Sequence, residues 1–500
     1  PYSRRLSAHK SCVNALKFSC GEGRFLASGG DDLGICLWDF YQDDVKQPSY
    51  TLRGPTRNIF TLEFSANNKY LLVGGSSDVV LKYDVATLGS SVESFNRLLP
   101  DQTYHHHDDS VRIITCHPYR DEIFMSGGED GTIQRFDVRQ SRRSDVVDLR
   151  SEVTGAQYHP RAEHLFVSSD HRGNVCLWDA RMSFGRSRTS LKLGEGIVRR
   201  YNTRLTRQDT SWLSNPEASS VVFDREGIFS MMSSTHYFPT IYAVSDADPA
   251  AILKGNTLPD GSPIPEGERK YTNSCTMKHG SFGGFGLGED LLYGGGSDDF
   301  RAYIWRISSI SDLLNQREIQ SAKEWTSTRD SRIAFCDRGN RPKVLPVQIT
   351  KPTCRLSGHD SIVNSVVFHP HFLHVVTAGV ERRIVLHSPT PSSPCTQDLA
   401  LSSTNVRSLT AENSDLDRLT YLSALADDES IEVNSETIID QNESRTLGLF
   451  DHLLREEGEP DVFLVRRLSQ DSDSDNSDSE SQNSTDGGME ADNSDEDLSL

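Results

Sequence analysis

The chain has 500 residues, a formal net charge of −20, 35% hydrophobic residues and nine cysteines. Residues 469–500 hold eight Asp, three Glu and no Lys or Arg, so this tail supplies −11 and leaves −9 for everything before it. That balance lacks the basic stripe of a nucleic-acid binder. No run approaches the ~18 apolar residues of a membrane span. Neither direct nucleic-acid binding nor a membrane is therefore expected. The cysteines are odd in number and scattered, with no CxxC pair, which points to reduced thiols in the nucleus or cytosol. No signal-peptide pattern opens the chain at Pro1, and a start other than Met is compatible with a fragment.

In chain order, one unit recurs. It reads His-x-x-x-Val, an alternating apolar stretch, a Gly/Ser-rich turn with Asp, then an apolar run closing on Trp-Asp. Unit 1 (8–39) has His9, Val13, the turn LASGGDD with Asp32, and Trp38-Asp39. Unit 2 (52–84) runs through IFTLEFS, LLVGGSSD and VVLKYD. Unit 3 (105–137) has His107, Val111, MSGGEDG with Asp130, and Phe136-Asp137. Unit 4 (148–179) closes on Trp178-Asp179. Unit 5 (215–244) is the most degenerate. Unit 6 (272–306) carries GGGSDD with Asp299 and closes on Trp305. Unit 7 (356–388) has His359, Val363 and TAGVERRIVLH. Period-2 alternation suits strands with a buried face, and Gly-Asp turns supply positive φ and Asx hydrogen bonds. His9, Asp32, Trp38, His107, Asp130, Asp299, Trp305 and His359 are expected to link strands within their units, because they recur at structural spacing instead of converging once. Repeats of this length that cannot bury both faces alone stack around an axis. The expectation is an all-β, seven-bladed WD40 propeller over residues 1–388, with Pro1–Leu6 adding the outer strand of the last blade.

Three segments interrupt the spacing. Residues 182–216 separate units 4 and 5, and 181–209 hold seven Arg and one Lys against Glu195 and Asp209: a solvated loop or a basic dock. Residues 245–270 are Pro-, Gly- and Asp-rich. Residues 308–350 carry ISDLLNQREIQSAKEW (310–325) in their early part, of helical character. After the repeats, 389–468 reads as a linker with a short amphipathic helix, TLGLFDHLLREE (446–457). Residues 469–500 form an acidic, Ser-rich tail of disordered composition. Ser472, Ser474 and Ser477 precede acids and resemble acidic-directed kinase sites.

Enzymatic signatures are lacking: no P-loop, Gly-rich dinucleotide turn or GxSxG elbow is present. The histidines at 105–107 and in HPHFLH (369–374) fit repeat and turn roles. No enzyme activity, cofactor or metal is expected.

Two consecutive units end with an Arg two residues after the closing Asp: Phe136-Asp137-Val138-Arg139 and Trp178-Asp179-Ala180-Arg181. The repeat does not demand this Arg, and units 1, 2 and 7 lack it. Two guanidinium groups in register on neighbouring blades could grip carboxylates or carbonyls of another protein. These tandem ends resemble those of the cullin-4-associated WD40 factors. The expanded box is met at Phe124–Gly128, Asp130, Ile133, Asp137 and Arg139, and at Val175, Leu177, Trp178, Asp179 and Arg181. It is broken at Arg135, Phe136, Asp170 and Arg172. YTNSCTMKHGSF (271–282), GSDDFRAYIWRI (296–307) and LFDHLLREE are similar to the factor five branch of that family. The resemblance spans residues 6–388 and implies a substrate receptor of a cullin-4 RING ubiquitin ligase. Phe136, Asp137, Arg139, Trp178, Asp179 and Arg181 would dock on the adaptor, damage-specific DNA-binding protein 1, and another face would hold a protein substrate. The alternative is a WD40 scaffold or histone-tail reader outside ubiquitin ligation, using Asn14, Arg112 and Asn364 near the axis.

Overall fold

The computed structural model describes residues 1–86, 88, 99–140, 145–184, 194–208, 212–284, 291–327, 332–337, 341–409, 436–458 and 461–463. The chain divides into a compact unit, Pro1–Phe463, and a second, Leu464–Leu500, which lies outside the described residues together with Ser472, Ser474 and Ser477.

Eight sheets form among the described residues. Seven of them are antiparallel blades whose innermost strands neighbour one another in a closed ring: Val13–Phe18, Ile59–Phe64, Val111–Cys116, Val153–Tyr158, Ala218–Phe223, Ser281–Gly283 and Val363–Phe368. Blade 3 shows the pattern, with strands Val111–Cys116, Ile123–Gly128, Thr132–Asp137 and Asp145–Asp148 in sequential order. The repeat units are offset from the blades by one strand. Each unit covers a blade's three inner strands, and the fourth follows the closing Asp, as Tyr50–Leu52 does in blade 1.

The offset leaves blade 7 one strand short, and the N-terminus supplies it. Tyr2–Ser7 pairs antiparallel with Arg383–Ser388, Leu6 opposite Ile384. Leu6 is buried beside Trp38, Ile384 and Leu386. Beyond it, Ala400–Leu401 adds a short fifth strand. Pairing the first strand with the last repeat completes blade 7 and closes the ring.

Six inner strands shift register after their first residue, between Val13/Ala15, Ile59/Thr61, Val111/Ile113, Val153/Gly155, Ala218/Ser220 and Val363/Ser365. A bulge re-aims the extra side chain. A Gly at the end of the second strand is required beneath it: a Cβ on Gly30 would overlap the carbonyl oxygen of Cys12, and one on Gly379 that of Ile362.

The insertions build structure of their own. Leu205–Arg207, Ile333–Phe335, Lys343–Leu345 and Glu318–Gln320 form the eighth sheet, and Val347–Ile349 joins blade 5 in parallel. The helical reading of 310–325 holds for Ile310–Gln316, but Glu318–Gln320 is a strand, and helix resumes at Ala322–Ser327. Part of the basic segment, 185–193 and 209–211, lies outside the described residues. The helix is longer than TLGLFDHLLREE: it spans Glu436–Glu457 and packs on the blades. Its low apolar content before Thr446 concealed that length.

Candidate interaction surfaces

The repeat histidines and acids act inside the blades. In blade 1, His9 Nδ1 lies 3.1 Å from both Asp32 carboxylate oxygens, its Nε2 lies 2.8 Å from Ser28 Oγ, and Trp38 Nε1 donates to that hydroxyl at 2.9 Å. Burial disfavours a charged His9, but the hydrogen bond to Asp32, aided by Cys36, prevails and lifts it to about 10. In blade 3, His107 joins Asp130 at 2.8 Å and Ser126 at 2.7 Å, and Phe136 offers no indole N–H. In blade 7, His359 meets Glu381 and Thr377, and His387 occupies the Trp position 2.9 Å from Thr377. Blade 6 departs from the expected linkage. Gly295 stands where the hydroxyl would be, so Trp305 donates to the Lys254 carbonyl at 3.0 Å. Asp299 accepts from Tyr303 and Arg301.

The His-Pro pairs make turns. His117, His159 and His369 each present Nδ1 to backbone N–H groups two or three residues on, at 2.9–3.2 Å. Accepting there requires an unprotonated Nδ1. Among the described residues, no group of three His, Cys, Asp or Glu is placed to hold a metal.

Two surfaces remain, at opposite ends of the strands. Strands leave the Gly-Asp turns at one end and reach the closing Asp at the other, where Ile123 lies opposite Asp137 and Leu165 opposite Asp179. At that second end the two Asp-x-Arg motifs fold alike. Asp137 Oδ1 accepts the backbone N–H of Arg139 at 3.1 Å, and Asp179 Oδ1 that of Arg181 at 2.9 Å. This Asx turn recurs in blade 1 with Asp39 and Tyr41. The Arg is what differs. Arg139 Nε and Nη2 grip Asp137 at 2.9 and 2.6 Å, and Arg181 grips Asp179 at 3.0 and 2.6 Å. Each pair holds its carboxyl below the ordinary range, chiefly through the Arg hydrogen bond. The bidentate edge expected to face a partner is thus turned onto the chain's own Asp, because the turn brings the guanidinium back over the carboxylate. The Nη1 edge remains outward, on side chains 61% and 68% exposed.

The two departures in the blade 3 box have structural partners. Phe136 stacks on Phe124, 4.6 Å between centroids and 11° apart, with His106 on its other side at 5.3 Å. Arg135 reaches Asp145 at 2.5 Å and lies over the buried ring of Phe184, which follows Trp178-Asp179. Trp178 donates to Ser168 at 2.8 Å. Sequence reasoning missed Phe184; its signal was an aromatic five residues past a closing Asp.

At the turn end, the bulged residues Asn14, Phe60, Arg112, Thr154 and Asn364 line a cavity of about 390 Å³ at the mouth of the central channel. Asn14 donates to Asp31 at 2.7 Å, Arg112 stacks 4.6 Å above Phe60, and Thr276 donates to Asn364 at 2.6 Å. The helix Glu436–Glu457 brings Thr446 and Phe450 to the same cavity.

A ring of four-stranded blades, bulged inner strands and His–Asp–Ser–Trp linkage defines a WD40-repeat β-propeller. Comparison with known families agrees: residues 2–39, 46–84, 99–137 and 350–388 match the WD domain, G-beta repeat. It is similar to the DDB1- and CUL4-associated factor 5 of Homo sapiens and to that of Mus musculus. Each is 27% identical over 400 residues, covering 80% of this chain and 35% of the relative. The Protein ALTERED SEED GERMINATION 2 of Arabidopsis thaliana is 29% identical over 180 residues, 33% of this chain and 23% of the relative. The chain spans about a third of the length of the factor 5 relatives.

Proposed function

We propose that this propeller is a non-catalytic platform serving as a substrate receptor of a cullin-4 RING ubiquitin ligase. Phe136, Asp137 and Arg139 of blade 3, with Trp178, Asp179 and Arg181 of blade 4, would form the rim that docks on the adaptor, DDB1. The observation that supports this most is the duplicated Asp–Arg geometry on neighbouring blades, with donor edges exposed in register. The similarity to a relative named for association with DDB1 and CUL4 adds to it. An Arg held by its own Asp loses little side-chain freedom on binding, so its outward Nη1 donors suit backbone carbonyls of a partner. Ubiquitin transfer would belong to the RING and its charged carrier enzyme, and the ligase would work in the nucleus or cytosol. Co-purification of the adaptor with the intact chain, and its loss after Arg139→Glu with Arg181→Glu, tests the reading.

A second reading is a scaffold or histone-tail reader independent of the ligase. The ring of bulged side chains at the mouth favours it. Binding of a histone peptide without adaptor capture would select it.

A further inference from the structure

We propose that the mouth of the propeller is a docking site for an acidic amphipathic helix of a partner protein, a place that Glu436–Glu457 occupies in cis. The site lies at the turn end of the strands, opposite the Arg139/Arg181 rim, so the inference does not depend on the ligase reading.

The recognition chemistry is visible in the occupant. Asp440, Glu443, Phe450, Asp451 and Leu454 follow helical spacing along one side. Leu454 is buried among Cys12, Phe300, Ile362 and Val380, with Phe450 packed alongside. Two arginines flank this apolar patch. Arg407 takes Asp451 with both amino groups at 2.6 and 2.7 Å, donates through Nε to the Asp360 carbonyl at 2.7 Å, and lies 4.9 Å above the Phe300 ring. Asp451 is 2% exposed. Arg382 holds Asp440 at 2.7 Å and Glu443 at 3.0 Å. Planar, stacked, bidentate Arg is suited to an acid presented by a helix, and an apolar anchor one turn away sets its register.

Three observations favour exchange with a partner over a permanent strut. The docking is shallow: among the helix side chains described, Asp451 and Leu454 are the buried ones. The helix bridges the mouth without filling it, leaving the cavity of about 390 Å³ beneath Thr446 and Phe450. The groove supplies Arg382 and Arg407 in a chain of net charge −20, so charge complementarity to an acidic helix is local and specific. A tethered segment works at an effective concentration of ~mM, so it masks the site against weak ligands and yields to a tighter or abundant one.

The test uses the full chain and a labelled peptide of residues 436–457. A release variant, Asp451→Lys with Leu454→Lys, frees the groove and leaves its residues intact. The expected result is peptide binding at least tenfold tighter to the release variant than to the unaltered chain, and lost again when Arg407→Glu is added. Equal binding to both chains, or none to a release variant whose unfolding transition is intact, overturns the proposal. A second pair guards against misfolding: Arg407→Asp should prefer a peptide carrying Asp451→Arg over the unaltered peptide, and no preference counts against the site. A dimer dissolved by Arg407→Glu would assign the groove to the helix of a second copy and overturn the partner. Adaptor capture through Arg139 and Arg181 should be unchanged in the release variant, so failure of one reading is separable from failure of the other.

Discussion

Arg135 of blade 3 lies over the ring of Phe184, just past the end of blade 4, with its guanidinium 4.7 Å from the ring centre. Phe184 is 4% exposed and also packs against Phe166, 5.6 Å between centroids. The contact ties the strand that ends at Asp137 to the turn that begins at Asp179. Phe184→Ala is therefore expected to cost about 3–5 kcal/mol, the usual loss for a buried Phe, and to weaken adaptor capture without touching either docking Arg. Arg135→Leu, which installs the apolar residue of the ordinary repeat, should cost about 1 kcal/mol or less. Denaturant unfolding of both variants checks the contrast.

The blades differ in hydrogen bonding, and blade 3 can be improved. Ser126 there accepts from no indole, because Phe136 stands where Trp38 and Trp178 stand in blades 1 and 4. Blade 4 shows that Trp fits opposite a Phe: Trp178 stacks on Phe166 at 6.0 Å. Phe136→Trp should add one buried hydrogen bond and raise stability by about 0.5–1.5 kcal/mol. A lower unfolding free energy would show that His106 cannot yield the space.

Stability should peak near neutral pH. Burial depresses His279 to about 4 and His387 to about 3, from an ordinary value of 6.5. The unfolded chain then binds these protons first. Their contribution is complete above 6.5 and is lost as pH falls from 6.5 toward 4 and 3, by roughly 1.4 kcal/mol per unit and group. His9, raised to about 10, acts in the opposite sense: its contribution is complete below 6.5 and is lost as pH rises through 10. Thermal melts from pH 4 to 10 should give a maximum near 7. His387→Trp, which keeps a ring N–H for Thr377, should flatten the acid limb; an unchanged limb would remove His387 as a cause.

The N-terminal strand carries ring closure. Besides Leu6, Arg4 meets Asp44 and the carbonyls of Val45 and Gln397, and Arg5 donates to the Gly358 carbonyl at 2.7 and 3.0 Å. Removing Pro1–Leu6 should lower the melting temperature by at least about 2–3 °C, since Leu6 alone accounts for about 2 kcal/mol of buried apolar surface. A melt equal to that of the intact chain would show that blade 7 closes without it.

The blades were legible because strand alternation, Gly-Asp turns and the His-to-Trp interval are local and repeat. Even His387, which breaks the Trp-Asp wording, kept its place through spacing. What escaped depends on contacts between distant segments. The eighth sheet joins Leu205–Arg207 to strands more than a hundred residues later, and three-residue strands carry no period. Arg139 and Arg181 stand out in the sequence, but their capture by Asp137 and Asp179 does not, because it depends on an Asx turn's geometry. Phe184 lay in a segment read as an interruption. The amphipathic half of the long helix was visible; the Arg382 and Arg407 that receive it are ordinary surface residues until the fold brings them together.

The most direct measurement is the affinity of the purified adaptor for the intact chain, for Arg139→Ala, for Arg181→Ala and for the double variant, each with an unchanged melting temperature. The account predicts that each single change weakens binding about tenfold or more and that the double change abolishes it, because the two rim positions engage one partner. Equal affinity of the double variant and the unaltered chain would contradict it, and would leave the mouth as the face where this propeller meets its partners.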